Sequence, residues 1–134
     1  MAAGKYSFII EQGATTDFEI QYIDASGTPV DLTDYEGRMQ IRSSAGGTVY
    51  ITLSSSLGPC GTGLNFNGSP SSEGYPLPKS SGSIGIYIAS VSSSALDFNE
   101  AVYDLEIYSG STCPYVIRVI EGNVKLSKEI TTTP

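Results

Sequence analysis

Side chains alternate apolar and polar along most of this sequence, and nowhere do apolar residues recur at helical spacing over the roughly 10–15 residues that an amphipathic helix between strands occupies. An extended segment points successive side chains to opposite faces, so a half-buried sheet reads apolar, polar, apolar. Tyr6, Phe8 and Ile10 alternate with Ser7, Ile9 and Glu11, and beyond Gly13 the residues Phe18, Ile20 and Tyr22 alternate with Asp17, Glu19 and Gln21. Residues 24–29 collect turn formers: Gly27 accepts a positive φ, Pro29 fixes its own, and Asp24 or Ser26 can bond the local backbone. A third strand is expected over 36–42, with Met39 and Ile41 facing a core and Arg38, Gln40 and Arg42 facing solvent or a neighbouring chain.

The hairpin signal Ala45-Gly46-Gly47-Thr48 precedes a branched and aromatic run over 49–53 that suits a pleated surface. Residues 54–82 then loosen into Ser, Gly and Pro, with only Leu64-Asn65-Phe66 resembling a short strand. The part from Pro70 to Ser83, containing Tyr75 and Leu77, is long for a connection without structure of its own, and such loops are usually functional or mobile. It is the expected contact loop. Residues 83–88 form another strand, and the serines preceding Ala95-Leu96 are expected to cap one short helical turn. Residues 101–108 alternate again, 110–114 turn, and 115–120 are expected to join 124–130 through a hairpin at Glu121-Gly122-Asn123. About eight strands joined by short turns exclude a parallel α/β arrangement and predict an all-β fold, an antiparallel β-sandwich in a single domain over 1–134, with a small β-barrel as the alternative.

Charge and composition narrow the partners. Lys and Arg number 7 against 14 Asp and Glu, a formal charge of −7, which repels phosphate backbones and anionic lipid surfaces. Neither nucleic acid nor a membrane is an expected partner. No run approaches the roughly 18 consecutive apolar residues of a membrane-spanning helix, and residues 1–4 lack the charged and apolar regions of a secretory leader. Cys60 and Cys113 lie far apart in loop-like contexts, one pair that does not make a disulfide scaffold, and unbonded thiols are the expected state.

The chemistry-bearing residues point away from catalysis. There is no histidine, hence neither the commonest general base nor the commonest metal ligand. Neither cysteine has a second one nearby for a zinc cluster, and no serine sits in a nucleophile elbow. The glycines at 46–47 and 61–63 precede strands rather than helices, so they are expected in turns and not around a phosphate. Asp31 and Asp34 could mark a calcium site, but local backbone bonding at a turn is the expected role of Asp31 and Thr33. Paired carboxylates, as in glycosidases, are the one enzymatic option left, and no pair stands out. Arg38, Arg42 and Arg118 fall on the polar side of their strands, where pairing with acidic neighbours across the sheet is favoured over an open fork for a partner's carboxylates. Tyr75 and Tyr115 lie outside the core pattern and are candidate interface anchors.

The run Thr28-Pro-Val-Asp-Leu-Thr-Asp-Tyr-Glu-Gly-Arg-Met-Gln-Ile-Arg42 resembles a family of small bacteriophage virion proteins and N-terminal domains of phage baseplate and fibre proteins, with its "DG-x-P-x-DLT-x-Y" turn and "A-R-M-Q-I-R" strand. Gly85-Ile-Tyr-Ile88 with 90–96 is similar to the family's strand and short helical turn, 101–107 to its "Y-x-Y-D-L-E" strand, and 118–131 to its closing hairpin. The resemblance implies a β-sandwich built into a tail or baseplate, and the expected role is a tail, baseplate or neck subunit in symmetric copies, found in the virion after synthesis in the host cytoplasm; from the residues themselves no cofactor and no catalytic residue are expected. Arg38, Arg42, Tyr75, Leu77 and Tyr115 are the residues expected to touch other virion proteins. Because the sequence ends at Pro134 without a fibre-like repeat, an adaptor or decorating subunit is expected rather than direct host recognition. A capsid decoration protein and a carbohydrate-binding module of a receptor-binding apparatus are the alternatives, the second weakened by the absence of tryptophan.

Overall fold

The computed structural model describes residues 4–71, 73–110 and 112–130. Its strands are β1 (Gly4–Lys5), β2 (Phe8–Glu11), β3 (Thr16–Gln21), β4 (Glu36–Arg42), β5 (Val49–Ser54), β6 (Gly63–Asn65), β7 (Ser83–Ile88), β8 (Glu100–Ser109) and β9 (Tyr115–Ser127), with one short helix, α1 (Ser90–Ser93), between β7 and β8. The larger sheet runs β1-β9-β8-β4-β5 with β2 also against β9, and the smaller runs β3-β7-β6. Among the described residues there is no closed barrel, and the fold is a β-sandwich. Alternation sorts the faces: Met39 and Ile41 on β4, Leu105 and Ile107 on β8, and Ile10 on β2 are buried against Leu64, Ile84, Ile86 and Ile88 of the smaller sheet, while Ile9 is 62% exposed. Each such aliphatic side chain contributes about 1.5–3 kcal/mol when taken out of water, so the apolar face of each strand is fixed. Tyr6 is the exception, 45% exposed just ahead of β2.

The larger sheet is mixed rather than wholly antiparallel. β1 and β2 run parallel to β9, with Phe8 opposite Val124 and Gly4 opposite Ile120. The first strands thus pair with the last, a neighbourhood that alternation does not encode, because it fixes faces and not partners. The hairpin expected at Glu121-Gly122-Asn123 is absent as well: β9 runs unbroken through those residues, and Gly122 lies opposite Tyr103 of β8. Gly122 is needed for close approach, not for a turn. A Cβ there would sit 2.0 Å from the Tyr6 carbonyl oxygen, which also accepts a hydrogen bond from the Tyr103 hydroxyl at 2.5 Å.

On the smaller sheet the long 66–82 connection forms a partial third layer. It crosses β7 where Gly85 leaves room, since a Cβ on Gly85 would meet the Gly68 carbonyl oxygen at 2.5 Å. Reciprocal bonds hold it: Leu77 N–H to the Asn67 carbonyl and Asn67 Nδ2 to the Leu77 carbonyl, both 2.8 Å. Carboxylates of β3 hold its other end, Glu19 accepting from Ser69 N–H at 2.8 Å and Asp17 from the Ser69 hydroxyl. Consequently every residue of β7 but Tyr87 is buried. The serines near α1 do not cap it. Ala89 is the N-cap, its N–H donating to Thr62 Oγ1 at 3.0 Å, whereas the wholly buried Ser93 accepts from Gly13 N–H at 3.1 Å and donates to the Ala14 carbonyl at 2.7 Å. Among the described residues no helix is long and apolar enough to cross a membrane.

Candidate functional site

The outer face of the larger sheet concentrates the charged side chains. Register sets them in rows: Arg38, Glu106 and Arg118 lie side by side across β4, β8 and β9, and beside them run Gln40, Asp104, Glu121 and Lys5. Residues three apart on a strand normally face opposite ways, yet Arg118 and Glu121 share this face. The cause is a bulge in β9, where Leu105 pairs with Ile120 and Glu106 with Arg118, so that Val119 is the extra residue. Over these rows lies an open groove of about 670 Å³, lined by Lys5, Arg42, Asp104, Glu106, Arg118 and Glu121 among others.

The charges in the groove are largely spent on one another. Arg38 Nε reaches Glu106 Oε1 at 2.9 Å, and its guanidinium lies 4.7 Å above the Tyr108 ring. Arg118 reaches Asp104 at 3.4 Å and Glu121 at 3.3 Å, and Lys5 also pairs with Glu121. Arg42 donates to Gln40 Oε1 at 3.0 and 2.7 Å and to the Gly47 carbonyl at 3.2 Å. Partial burial raises the Asp104 carboxyl above the ordinary aspartate value, the Glu106 charge adds to that, and the Arg118 guanidinium opposes it. Glu121 is held low by the Lys5 ammonium. A ligand entering here has to displace ion pairs that already satisfy each other.

Tyr115 stands elsewhere, 64% exposed at the start of β9. A smaller apolar mouth of about 250 Å³ opens between β3 and β9, lined by Ile20, Tyr22, Ile23, Ile117, Val119 and Ile120 among others. Burial raises the Tyr22 hydroxyl above its ordinary value, with Tyr35 and Tyr115 contributing. No known protein family and no curated protein matches the chain. Tyr75 and Leu77 belong to the loop over the smaller sheet, where Leu77 is half-buried and Tyr75, 39% exposed, accepts a hydrogen bond from Asn65 Nδ2 at 3.1 Å. Arg38 and Arg42 share the sheet face, but the five expected contact residues occupy three separate regions and make no single site.

Asp31 accepts bonds from both the Thr33 N–H and hydroxyl, at 3.0 and 2.5 Å, and these lower its pKa. It closes a turn. Among the described residues no group of three or more Asp, Glu and Cys side chains is placed to hold a metal ion. Cys60 and Cys113 are exposed free thiols. Sequence reasoning missed Lys5, Asp104, Glu106 and Glu121. Alternation over 101–108 put Asp104 and Glu106 on the polar face, but their grouping with Lys5 and Glu121 depends on the bulge and on the parallel docking of β1.

Proposed function

We propose that this protein is a non-enzymatic structural component of a bacteriophage virion, an adaptor that docks onto tail, baseplate or neck subunits in several symmetric copies. The observation that supports the reading is the resemblance of several segments, which lie on regular elements of the sandwich. The motif over 28–42 falls on the turn and β4, that over 85–96 on β7 and α1, and that over 101–107 on β8. The closing segment departs from the motif, being one strand instead of a hairpin. The mutual pairing of Arg38, Glu106, Arg118, Asp104 and Glu121 supports a role in holding the sheet rather than in catalysis. An adaptor needs only exposed strand edges and a few aromatic anchors, for which Tyr75 and Tyr115 are available.

Mass spectrometry of separated heads and tails from purified particles tests the proposal. Recovery with tails supports it, recovery with heads moves the role to capsid decoration, and presence in infected-cell lysate but never in particles overturns it. The exposed Tyr115, with Tyr22 lining an apolar mouth, supports a second reading, a carbohydrate-binding module, since sugar rings stack on exposed aromatic faces. Glycan-array binding lost on Tyr115→Ala supports that reading; a blank array for the wild-type protein removes it.

A further inference from the structure

The edges of the two sheets are unequally defended. A strand edge presents unpaired N–H and C=O groups that template pairing with another chain, and proteins guard it with charge, proline or bulges. The β1 and β2 edge carries Lys5 and Glu11, and the β3 edge carries Asp17 and Glu19. On the opposite side of the sandwich, where β5 and β6 close their sheets and approach one another, there is neither charge nor proline in either strand. The gap is long: no Asp, Glu, Lys or Arg occurs between Arg42 and Glu73 in a chain whose net charge is −7.

β5 is the longer of the two edges and pairs only with β4. The Ser55 N–H bonds the Gly37 carbonyl, so ladder alternation turns the main chain of Ile51 and Leu53 towards β4 and that of Thr52 outwards. Two features limit this edge, a bulge at the start of β5 and the approach of Gly63 to the Ser54 carbonyl, where a Cβ on Gly63 would sit 2.6 Å from that oxygen; between them Ile51–Leu53 stay in register with β4 and leave the main chain of Thr52 outwards. The exposed apolar residues Val49 and Leu57 flank this stretch.

We propose that β5 is a self-association seam, where two copies of this chain meet antiparallel about a two-fold axis near Thr52 and their larger sheets become continuous. An antiparallel strand pair is self-complementary, because one segment supplies both halves. Electrostatics selects a second copy. Two chains of charge −7 repel across most of their surfaces, and the β5 edge lets them touch without bringing carboxylates together, whereas a cationic partner has nothing to hold there. Self-association of this kind goes beyond the virion role, because it belongs to the isolated chain.

Analytical ultracentrifugation of the full chain, from micromolar to millimolar concentration and at low and high salt, tests it. The wild type forms a dimer whose fraction rises with salt as the net repulsion is screened. Thr52→Lys places like charges at the seam and raises the dimer dissociation constant at least about tenfold. Val49→Lys, at the strand end, weakens association in the same direction, and circular dichroism confirms that both variants keep the wild-type fold. A wild type that stays monomeric throughout, a dimer that weakens with salt, or folded variants that dimerise like the wild type would each overturn the proposal.

Discussion

Replacing Gly122 by alanine separates two incompatible roles for that residue by the sign of the effect. Gly122 lies within β9 and does not use the left-handed backbone that favours glycine. If local propensity alone mattered, alanine would stabilise the strand by about 0.5–1 kcal/mol. The structure gives the opposite result, because the new methyl carbon lies 2.0 Å from the Tyr6 carbonyl oxygen and 2.7 Å from its carbon, both backbone atoms. Tyr6 has to move by more than an ordinary contact tolerates. That displaces the Tyr6 N–H from the Glu121 carbonyl, 3.0 Å away, and the Tyr6 carbonyl from the Tyr103 hydroxyl, 2.5 Å away. A lost backbone bond costs about 1 kcal/mol and a buried hydroxyl left without a partner about 1–3 kcal/mol. Tyr103 is only 5% exposed, so water does not readily take its place. After subtracting the propensity gain, Gly122→Ala should destabilise by about 1.5–3 kcal/mol, lowering Tm by about 5–10 °C.

Urea unfolding measures this, followed by far-UV circular dichroism and by tyrosine fluorescence, since there are 9 tyrosines and no tryptophan. Tyr103→Phe removes the hydroxyl alone and should cost about 1 kcal/mol. The double variant should fall short of additivity by about the same amount, since both changes break one hydrogen bond. A Gly122→Ala protein as stable as the wild type, or more so, refutes the close approach of the N-terminal strand to β9.

Ser93→Ala takes a wholly buried hydroxyl from the Gly13 N–H and the Ala14 carbonyl, and should destabilise by about 1–3 kcal/mol in the same urea assay. Arg38→Ala should cost less than about 1 kcal/mol, and less still in high salt, because the Glu106 pair lies at the surface; a larger, salt-insensitive loss would contradict that geometry. Asp104 titrates higher in the fold than its ordinary value of 3.8, so the folded state holds its proton more tightly and this residue's contribution to stability falls as pH rises from 3.8 through the raised value. Asp104→Asn should flatten that part of the stability profile, and carbon-13 titration of Glu106→Gln should show Asp104 moving back towards its ordinary value.

The parts of the fold legible in the sequence are those in which one face of one strand decides the matter. Met39 and Ile41, or Leu105 and Ile107, have to turn inwards together, and the polar residues between them have to turn out. The local turn at 24–29 was legible for the same reason, since Asp24 Oδ1 accepts from the Ser26 and Thr28 N–H groups within the segment. Gly122 was misread because a glycine beside Asn123 is locally a turn signal, and the Tyr6 backbone that makes it necessary is remote in sequence. The Ser93 hydroxyl was misassigned as a cap because its partners, Gly13 and Ala14, come from the far end of the chain. In the candidate site, the side of the sheet was legible for Arg38, Arg42 and Arg118. The row joining Arg118 to Glu121 was not, because it exists only where Val119 bulges.

These failures share a cause that bears on function. Alternation reports what side chains do perpendicular to a sheet and says nothing about what the main chain does within its plane, which is where strands choose neighbours and where another molecule adds itself. The parallel docking of β2 on β9, the approach of Tyr6 to Gly122 and the charge-free β5 edge are all in-plane relations. Charge is the in-plane signal that a sequence does carry, because a charged residue in an edge strand discourages further pairing. The charge-free run between Arg42 and Glu73, set against Lys5, Glu11, Asp17 and Glu19 on the other edges, therefore distinguishes an edge without charge from edges that carry it. The Thr52→Lys experiment asks whether that difference is used, and Gly122→Ala asks whether the opposite edge is closed as the geometry requires.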